Sequence, residues 1–322
     1  CPIIIERTWT VFDTCLNTQF CVQTITVQDT MLPLITCPSD IEADGCEIAD
    51  VTAITGGWAF STDSVFITES VFENNPLFPG DVSDNCGVLE VAYYDVITNT
   101  SCPIIIERTW TVFDTCLNTQ SCIQQITVQD TMLPTITCPS DIEADGCVLG
   151  DMTAITGGWA FSTDSVFITE SEFEGNLLFP GDVSDNCGVF QVAYYDVITN
   201  TTCPIIIERT WTVFDTCLNT QFCVQQITVQ DTMLPLITCP IDIEADGCNL
   251  GDVSAITGGW AFSTDSVFMT ETEFEGNLTF PGDASDNCGV LEIAYYDVVT
   301  NASCPIIIDR IWTVFDSCRN SQ

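Results

Sequence analysis

Apolar and polar residues alternate with a period of two over long stretches of this chain. Ile104, Ile106, Trp110 and Val112 alternate with Ile105, Glu107, Thr109 and Thr111, and Ile126 and Val128 alternate with Gln125 and Thr127. A strand sends successive side chains to opposite faces, so this pattern marks strands with one face in a core. Leu89, Val91 and Tyr93 against Glu90 and Ala92 give another such segment, and 65–68 and 58–60 are shorter candidates. Turn residues separate them: Gly56-Gly57, Pro79-Gly80-Asp81, Asp84-Asn85 and Asn99-Thr100-Ser101. No window of ten or more residues carries the helical period. Roughly seven strands in about 100 residues predict an immunoglobulin-like β-sandwich, with a different Greek-key sandwich as the alternative.

The pattern recurs. Cys-Pro-Ile-Ile-Ile begins at Cys1, Cys102, Cys203 and Cys304, a fixed step of 101 residues. That step is too long for a solenoid unit and close to the size of a small domain, so it predicts separately folded domains in tandem. The strand-like segments 21–27, 122–128 and 223–229 each lead into Gln-Asp-Thr-Met-Leu-Pro. Proline fixes φ and cannot join a central ladder, which makes this the natural boundary. Domains are expected at 33–133, 134–234 and 235–322, the last lacking its final strand, with 1–32 the C-terminal part of a preceding repeat. The chain thus reads as a window on a longer array, semi-rigid because its linkers are short and hold a proline.

Charge narrows the partners. The 322 residues hold 5 Lys+Arg against 46 Asp+Glu and no His, a formal net charge of −41. All five bases are arginines: Arg7, Arg108, Arg209, Arg310 and Arg319. Such a surface repels phosphate and anionic lipid, so nucleic acid and direct membrane insertion are not expected. No apolar run approaches the roughly 18–20 residues of a membrane span. The 20 cysteines fall six to a repeat at identical spacings, without histidine, which points to disulfides in an oxidising, extracellular compartment rather than to zinc. The missing lysine also removes Lys–Asn isopeptide cross-links as an alternative staple.

Four motifs carry a family likeness. Ile35-Thr36-Cys37-Pro38, Ser83-Asp84-Asn85-Cys86-Gly87, Arg108-Thr109-Trp110-Thr111-Val112-Phe113-Asp114-Thr115-Cys116 and Cys122 at the start of the final strand resemble a hyalin-repeat (HYR) domain. The Cys-rich form is most similar to the tandem repeats of giant cell-surface adhesins of gliding Bacteroidetes, of the SprB type. The family usually has Gly-Asn where this chain has Leu117-Asn118, so a left-handed position suited to glycine falls on leucine. The resemblance implies an extracellular immunoglobulin-like module used in arrays for adhesion, and more narrowly for gliding motility.

Six cysteines allow fifteen connectivities. If 88–97 and 104–113 form a hairpin turning near Ser101, Cys86 and Cys116 face each other at its open end. The family's usual bridge between first and last strands maps onto Cys37 and Cys122, which leaves Cys46 for Cys102. The same set repeats as Cys187–Cys217, Cys138–Cys223 and Cys147–Cys203, then as Cys288–Cys318 and Cys248–Cys304. A local Cys116–Cys122 bridge is the competitor. Cys1, Cys15, Cys21 and Cys239 are expected to lack partners.

Acidic residues gather in short segments. Asp40, Glu42 and Asp44 form one, Asp81, Asp84 and Asn85 another with its equivalents Asp182, Asp185 and Asn186, and Asp29 and Asp130 lie in the linkers. Ca²⁺ takes several carboxylate and carbonyl oxygens, and an interdomain hinge is where it would stiffen an array. The plain alternative is an acidic surface that keeps near-identical domains from aggregating. No other cofactor is indicated. Paired carboxylates also suggest a glycosidase, but the same acids recur in every unit, and no His, Lys or nucleophile motif accompanies them, so no enzyme is expected.

Gly56-Gly57-Trp58-Ala59-Phe60 recurs unchanged from Gly157 and Gly258. Trp58 is either a platform for sugar rings or, as a sandwich of this size requires, core; the core reading is preferred. Arg108 shares the apolar face of its strand with Trp110 and therefore needs an acidic partner or the sheet edge. Asn99, Asn200, Asn277 and Asn301 lie in N-glycosylation sequons, whereas the Bacteroidetes resemblance implies O-glycans at Thr30, Thr131, Thr232, Ser64, Ser165 and Ser266. Together these features predict the stalk of a secreted surface adhesin or filament, its partners being further copies of the repeat and a polysaccharide or substratum bound elsewhere. A self-assembling sheath and a carbohydrate-binding accessory to an enzyme are the alternatives.

Overall fold

A long antiparallel hairpin forms the centre of each repeat. In the first complete repeat its strands are Val88–Asn99 and Ile104–Asp114, with Tyr93 opposite Trp110 and Asp95 opposite Arg108. The computed structural model describes residues 1–322 and consists mainly of strands. In chain order these begin with β1 (Ile3–Phe12), β2 (Thr18–Val27), β3 (Leu34–Thr36), β4 (Ile41–Ala43), β5 (Val65–Ile67), β6 (Asp81–Ser83), β7 (Val88–Asn99), β8 (Ile104–Asp114) and β9 (Thr119–Val128). Strands β3 to β9 are the seven of one repeat.

They make a sandwich of unequal halves, a five-stranded sheet β4-β9-β8-β7-β5 and a two-stranded sheet β3-β6. The common four-plus-three partition of immunoglobulin domains is thus shifted, with β4 pairing parallel to the last strand, β9. The repeat that follows has the same strand order, and in the third the larger sheet is reduced to three strands, Val267–Met269, Val290–Asn301 and Ile307–Asp316, beside its own two-stranded sheet. The chain divides into two compact units: Cys1–Pro134 with Ser184–Phe190 and Phe214–Thr220, and Thr135–Val183 with Gln191–Val213 and Gln221–Gln322.

The core is aromatic. Trp58, Phe72, Tyr93 and Trp110 pack with Val82, Val91 and Val112 between the two sheets. Trp58 meets Trp110 edge-on at 4.7 Å, so it is core and not a sugar platform. Gly80 lets the chain pass against Phe72, since a Cβ there would sit 2.1 Å from the ring.

Arg108 lies wholly buried in this core. Its Nε and Nη2 donate to Asp95 Oδ1 and Oδ2 at 2.7 and 2.8 Å, and Nη2 also donates to the Ala59 carbonyl at 3.0 Å. The guanidinium stacks over Tyr93 at 4.2 Å. Asp95 also accepts from the Ser61 amide, so one ion pair fastens the Gly-Gly-Trp-Ala-Phe segment to the hairpin. A planar, bidentate, fully bonded guanidinium is the form in which a buried charge is tolerated. Arg209–Asp196 and Arg310–Asp297 repeat the bidentate pair, each leaving Nη1 without a partner.

The structure differs from the sequence reading in three details, the first being that 58–60 forms no strand and is fixed instead by the packing of Trp58. Leu89 is 51 % exposed, because a bulge between Val88 and Glu90 shifts the phase of β7 and turns Val88 to the core instead. Two short helices, α1 (Val51–Ile54) and α2 (Glu69–Glu73), interrupt the β pattern. Each is too short to show a helical period, although Thr68 caps the second through the Val71 amide.

Candidate functional site: the junction between repeats

The cysteines converge where repeats meet. Cys37–Cys122 and Cys138–Cys223 each close one repeat on itself. The others join successive repeats: Cys46–Cys187 and Cys102–Cys217 in the first unit, Cys147–Cys288 and Cys203–Cys318 in the second, and Cys1–Cys116 at the start. The expected bridges Cys86–Cys116, Cys46–Cys102, Cys187–Cys217, Cys147–Cys203, Cys288–Cys318 and Cys248–Cys304 are therefore not formed. Cys86, Cys248 and Cys304 are unpaired, as are Cys15, Cys21 and Cys239, whereas Cys1 is paired. The physical reason is periodicity: a cysteine near one end of a repeat has a candidate partner in its own repeat and an equivalent one 101 residues away. Cys86 and Cys116 do share the open end of the hairpin, where the Thr115 amide donates to the Gly87 carbonyl, but Cys116 bonds to the preceding repeat.

Two tight loops present the receiving cysteines. In the first, Asp185 Oδ1 accepts from the Cys187 amide at 2.8 Å, and in the second, Asp215 Oδ1 accepts from the Cys217 and Asn219 amides at 2.7 and 2.8 Å. These side-chain turns hold each sulfur in place. Asn219 Nδ2 then donates both to Asp215 Oδ2 at 2.7 Å and to the linker carbonyl of Asp130 at 3.0 Å. Between them Leu218 sits at φ +66, as Leu117 does at +65, so the left-handed position is filled by leucine.

The linker completes the junction. Asp130 is wholly buried, and its Oδ1 accepts from the Met132 amide at 3.1 Å and from Asn186 Nδ2 at 3.3 Å. A carboxylate oxygen of Asp130, one of Asp185 and the sulfur of Cys187 lie within 4.8 Å of one another. Asp231, Asp286 and Cys288 repeat this grouping in the second unit, and Asp29, Asp84 and Cys86 do so in the first. Burial, reinforced by nearby carboxylates, pushes Asp130 and Asp231 above the ordinary carboxylate range. Asp29, held first by the Met31 amide and then by the neighbouring Cys86 thiol, is drawn below it.

The sequence candidates thus separate. Asp84 and Asp185 enter the groups, whereas Asp81 and Asp182 stand exposed on short strands outside them. Asn85 and Asn186 donate through Nδ2 to Asp29 at 3.4 Å and to Asp130 at 3.3 Å. Asp40 accepts the Gln125 amide and Asp44 the amide and hydroxyl of Thr131, which gives these acids a structural task. What the sequence reading missed is the pairing of each linker aspartate with the Asp-Asn-Cys turn of the following repeat. Their common step of 101 residues was the available signal.

The sugar candidates also divide. Thr30, Thr131, Thr232, Ser64, Ser165 and Ser266 are exposed. Asn277 is 8 % exposed and its amide donates to the Thr257 carbonyl, which rules out a glycan there in this fold. The amides of Asn99, Asn200 and Asn301 donate to the carbonyls of Pro103, Pro204 and Pro305 within their turns. No helix is long and apolar enough to cross a membrane, and seven disulfides are the chemistry of an oxidising compartment. No protein-family model matches the chain, and no curated protein matches it in sequence.

Proposed function

We propose that this chain is a load-bearing, non-catalytic stretch of a secreted cell-surface adhesin or filament. The observation that carries this reading is the pair of disulfides across a junction. Between the first and second complete repeats, tension can pass through the linker, through Cys46–Cys187 and through Cys102–Cys217. Spacers need reach and resistance to extension, and near-identical repeats supply both without a distinct binding surface on each. The strongly acidic composition suits an extended array whose copies do not coalesce. The family resemblance adds gliding as the sharper version, with adhesive ligand binding outside these residues.

Antibody-coated beads placed on live cells of the source organism test the proposal. Beads that attach and travel along the cell support a mobile adhesin, beads that attach and stay put support a static filament, and failure to attach to intact cells defeats surface display.

A second reading, lateral assembly into a sheath, draws on the outer face of the five-stranded sheet. Phe66, Tyr94, Val96 and Ile123 are all exposed there. Sedimentation velocity at rising concentration separates the two, since a sheath protein would form larger species and a spacer would remain single.

A further inference from the structure

The aspartates at each bridged junction are short of positive charge. Asp130 Oδ2 is buried and accepts no hydrogen bond from the chain, and neither does Asp185 Oδ2; Asp231 and Asp286 repeat this in the second unit, and so do Asp29 and Asp84 at the first junction, where the linker aspartate is only half-buried. In each of these side chains Oδ1 is spent on backbone or amide donors, so one oxygen of each remains unmet. A buried carboxylate without a partner is costly and demands either a proton or a cation. Of the five arginines only Arg7 and Arg319 lie outside the core ion pairs; both are exposed, and neither meets these oxygens. Arg108, Arg209 and Arg310 are committed to Asp95, Asp196 and Asp297, and neither lysine nor histidine is present.

We propose that each doubly bridged junction binds a hard divalent cation of the Ca²⁺ class, held between Asp130 and Asp185 in one and between Asp231 and Asp286 in the other. The donors are carboxylate oxygens, which suit Ca²⁺ or Mg²⁺ with water completing the shell. A soft metal is disfavoured, because the sulfur within reach belongs to Cys187 or Cys288, each already in a disulfide and unable to act as a thiolate. The wholly buried, half-satisfied linker aspartate distinguishes this place from the many exposed acids of the surface.

The bridge and the ion are coupled by chemistry. At the Asp29 and Asp84 group the neighbouring Cys86 is a free thiol, whereas the equivalent sulfurs of Cys187 and Cys288 are held in disulfides. Closing the disulfide removes a proton donor from beside the carboxylate and leaves the cation as its partner. Each ion would then tie the linker to the tip of the following repeat.

Calorimetric titration of CaCl2 into the oxidised, chelator-treated full chain at neutral pH tests this. Saturable uptake of two equivalents is expected, falling to one in Asp185→Asn and to none in Asp185→Asn/Asp286→Asn, with Asp182→Asn unchanged. Asparagine keeps the oxygen that accepts the Cys187 amide, and peptide mapping without reductant verifies the Cys46–Cys187 bridge. If that bridge is lost, Asp130→Asn is read in its place. Absence of saturable uptake, retention of both equivalents in the double variant, or an equal loss in Asp182→Asn overturns the proposal.

Discussion

Two buried aspartates, thirty-five positions apart, meet opposite fates. Asp95, inside the repeat, receives both arms of the Arg108 guanidinium and the Ser61 amide. Asp130, at the junction, is equally hidden from solvent but has one oxygen without a donor. The interior is self-sufficient: its charges, aromatic rings and Cys37–Cys122 bridge all come from one repeat. The junction borrows, taking its sulfur partners and the Asn219 amide from the repeat that follows. A domain can thus fold around a finished core and still leave its ends chemically open, and this is what makes a repeat joinable.

The largest test of that contrast lies in the interior. Arg108→Met leaves Asp95 buried and unpaired and should cost about 3–5 kcal/mol in denaturant unfolding, whereas Arg108→Met/Asp95→Leu should recover most of it. An Arg108→Met chain as stable as the parent would erase the distinction between interior and junction. Next in size, Cys46→Ser/Cys187→Ser should lose roughly 2–4 kcal/mol. The near-UV signal of Trp58 and Trp110 should persist under native conditions, and a collapse of that signal would show that core and junction are one cooperative structure. Mapping of the parent chain without reductant should link the Cys46 and Cys187 peptides; a Cys46–Cys102 link instead would return the bridges to single repeats. A smaller gain is expected from Leu218→Gly, since a left-handed residue with a Cβ costs about 1–2 kcal/mol, partly offset by the greater freedom of unfolded glycine. Thermal melts should move upward by a few degrees at most.

The smallest effect concerns pH. Asp130 is raised in the folded state, so the stability it confers is fully present below its ordinary value of 3.8 and is lost as pH rises through the raised value. In the presence of a chelator, Asp130→Asn should therefore gain on the parent as pH increases from 3.8 toward neutrality, and the gap in melting temperature should close below 3.8. A gap that widens toward acid would mean that Asp130 is stabilised in its charged form.

Much of the repeat interior could be read from the chain because its signals are local. The alternation around Trp110 marks the hairpin, and Arg108 on the same face calls for a carboxylate, which Asp95 provides directly across the strands. The junction could not be read in the same way. Identical spacings make Cys102 and Cys203 interchangeable candidates, so an even number of cysteines per repeat suggested closed sets where the structure has links to neighbours. The acids misled for a related reason. Asp81 and Asp84 are close in sequence, but only Asp84 reaches a partner, and that partner, Asp29, is fifty-five residues upstream in the linker. The bulge at Val88 and the one-turn helices lie below the length at which periodicity resolves them.

The inter-repeat bridges also impose an order in time. Cys46 bonds to a residue made 141 positions later and Cys102 to one made 115 later. On a chain that emerges from its N-terminus, both thiols must stay reduced until the tip of the next repeat has been synthesised and folded. Premature oxidation between them would trap the wrong partner. Each repeat is therefore completed by its successor, and maturation advances along the polypeptide as a travelling front of reduced sulfur, with an oxidant that must keep pace without running ahead.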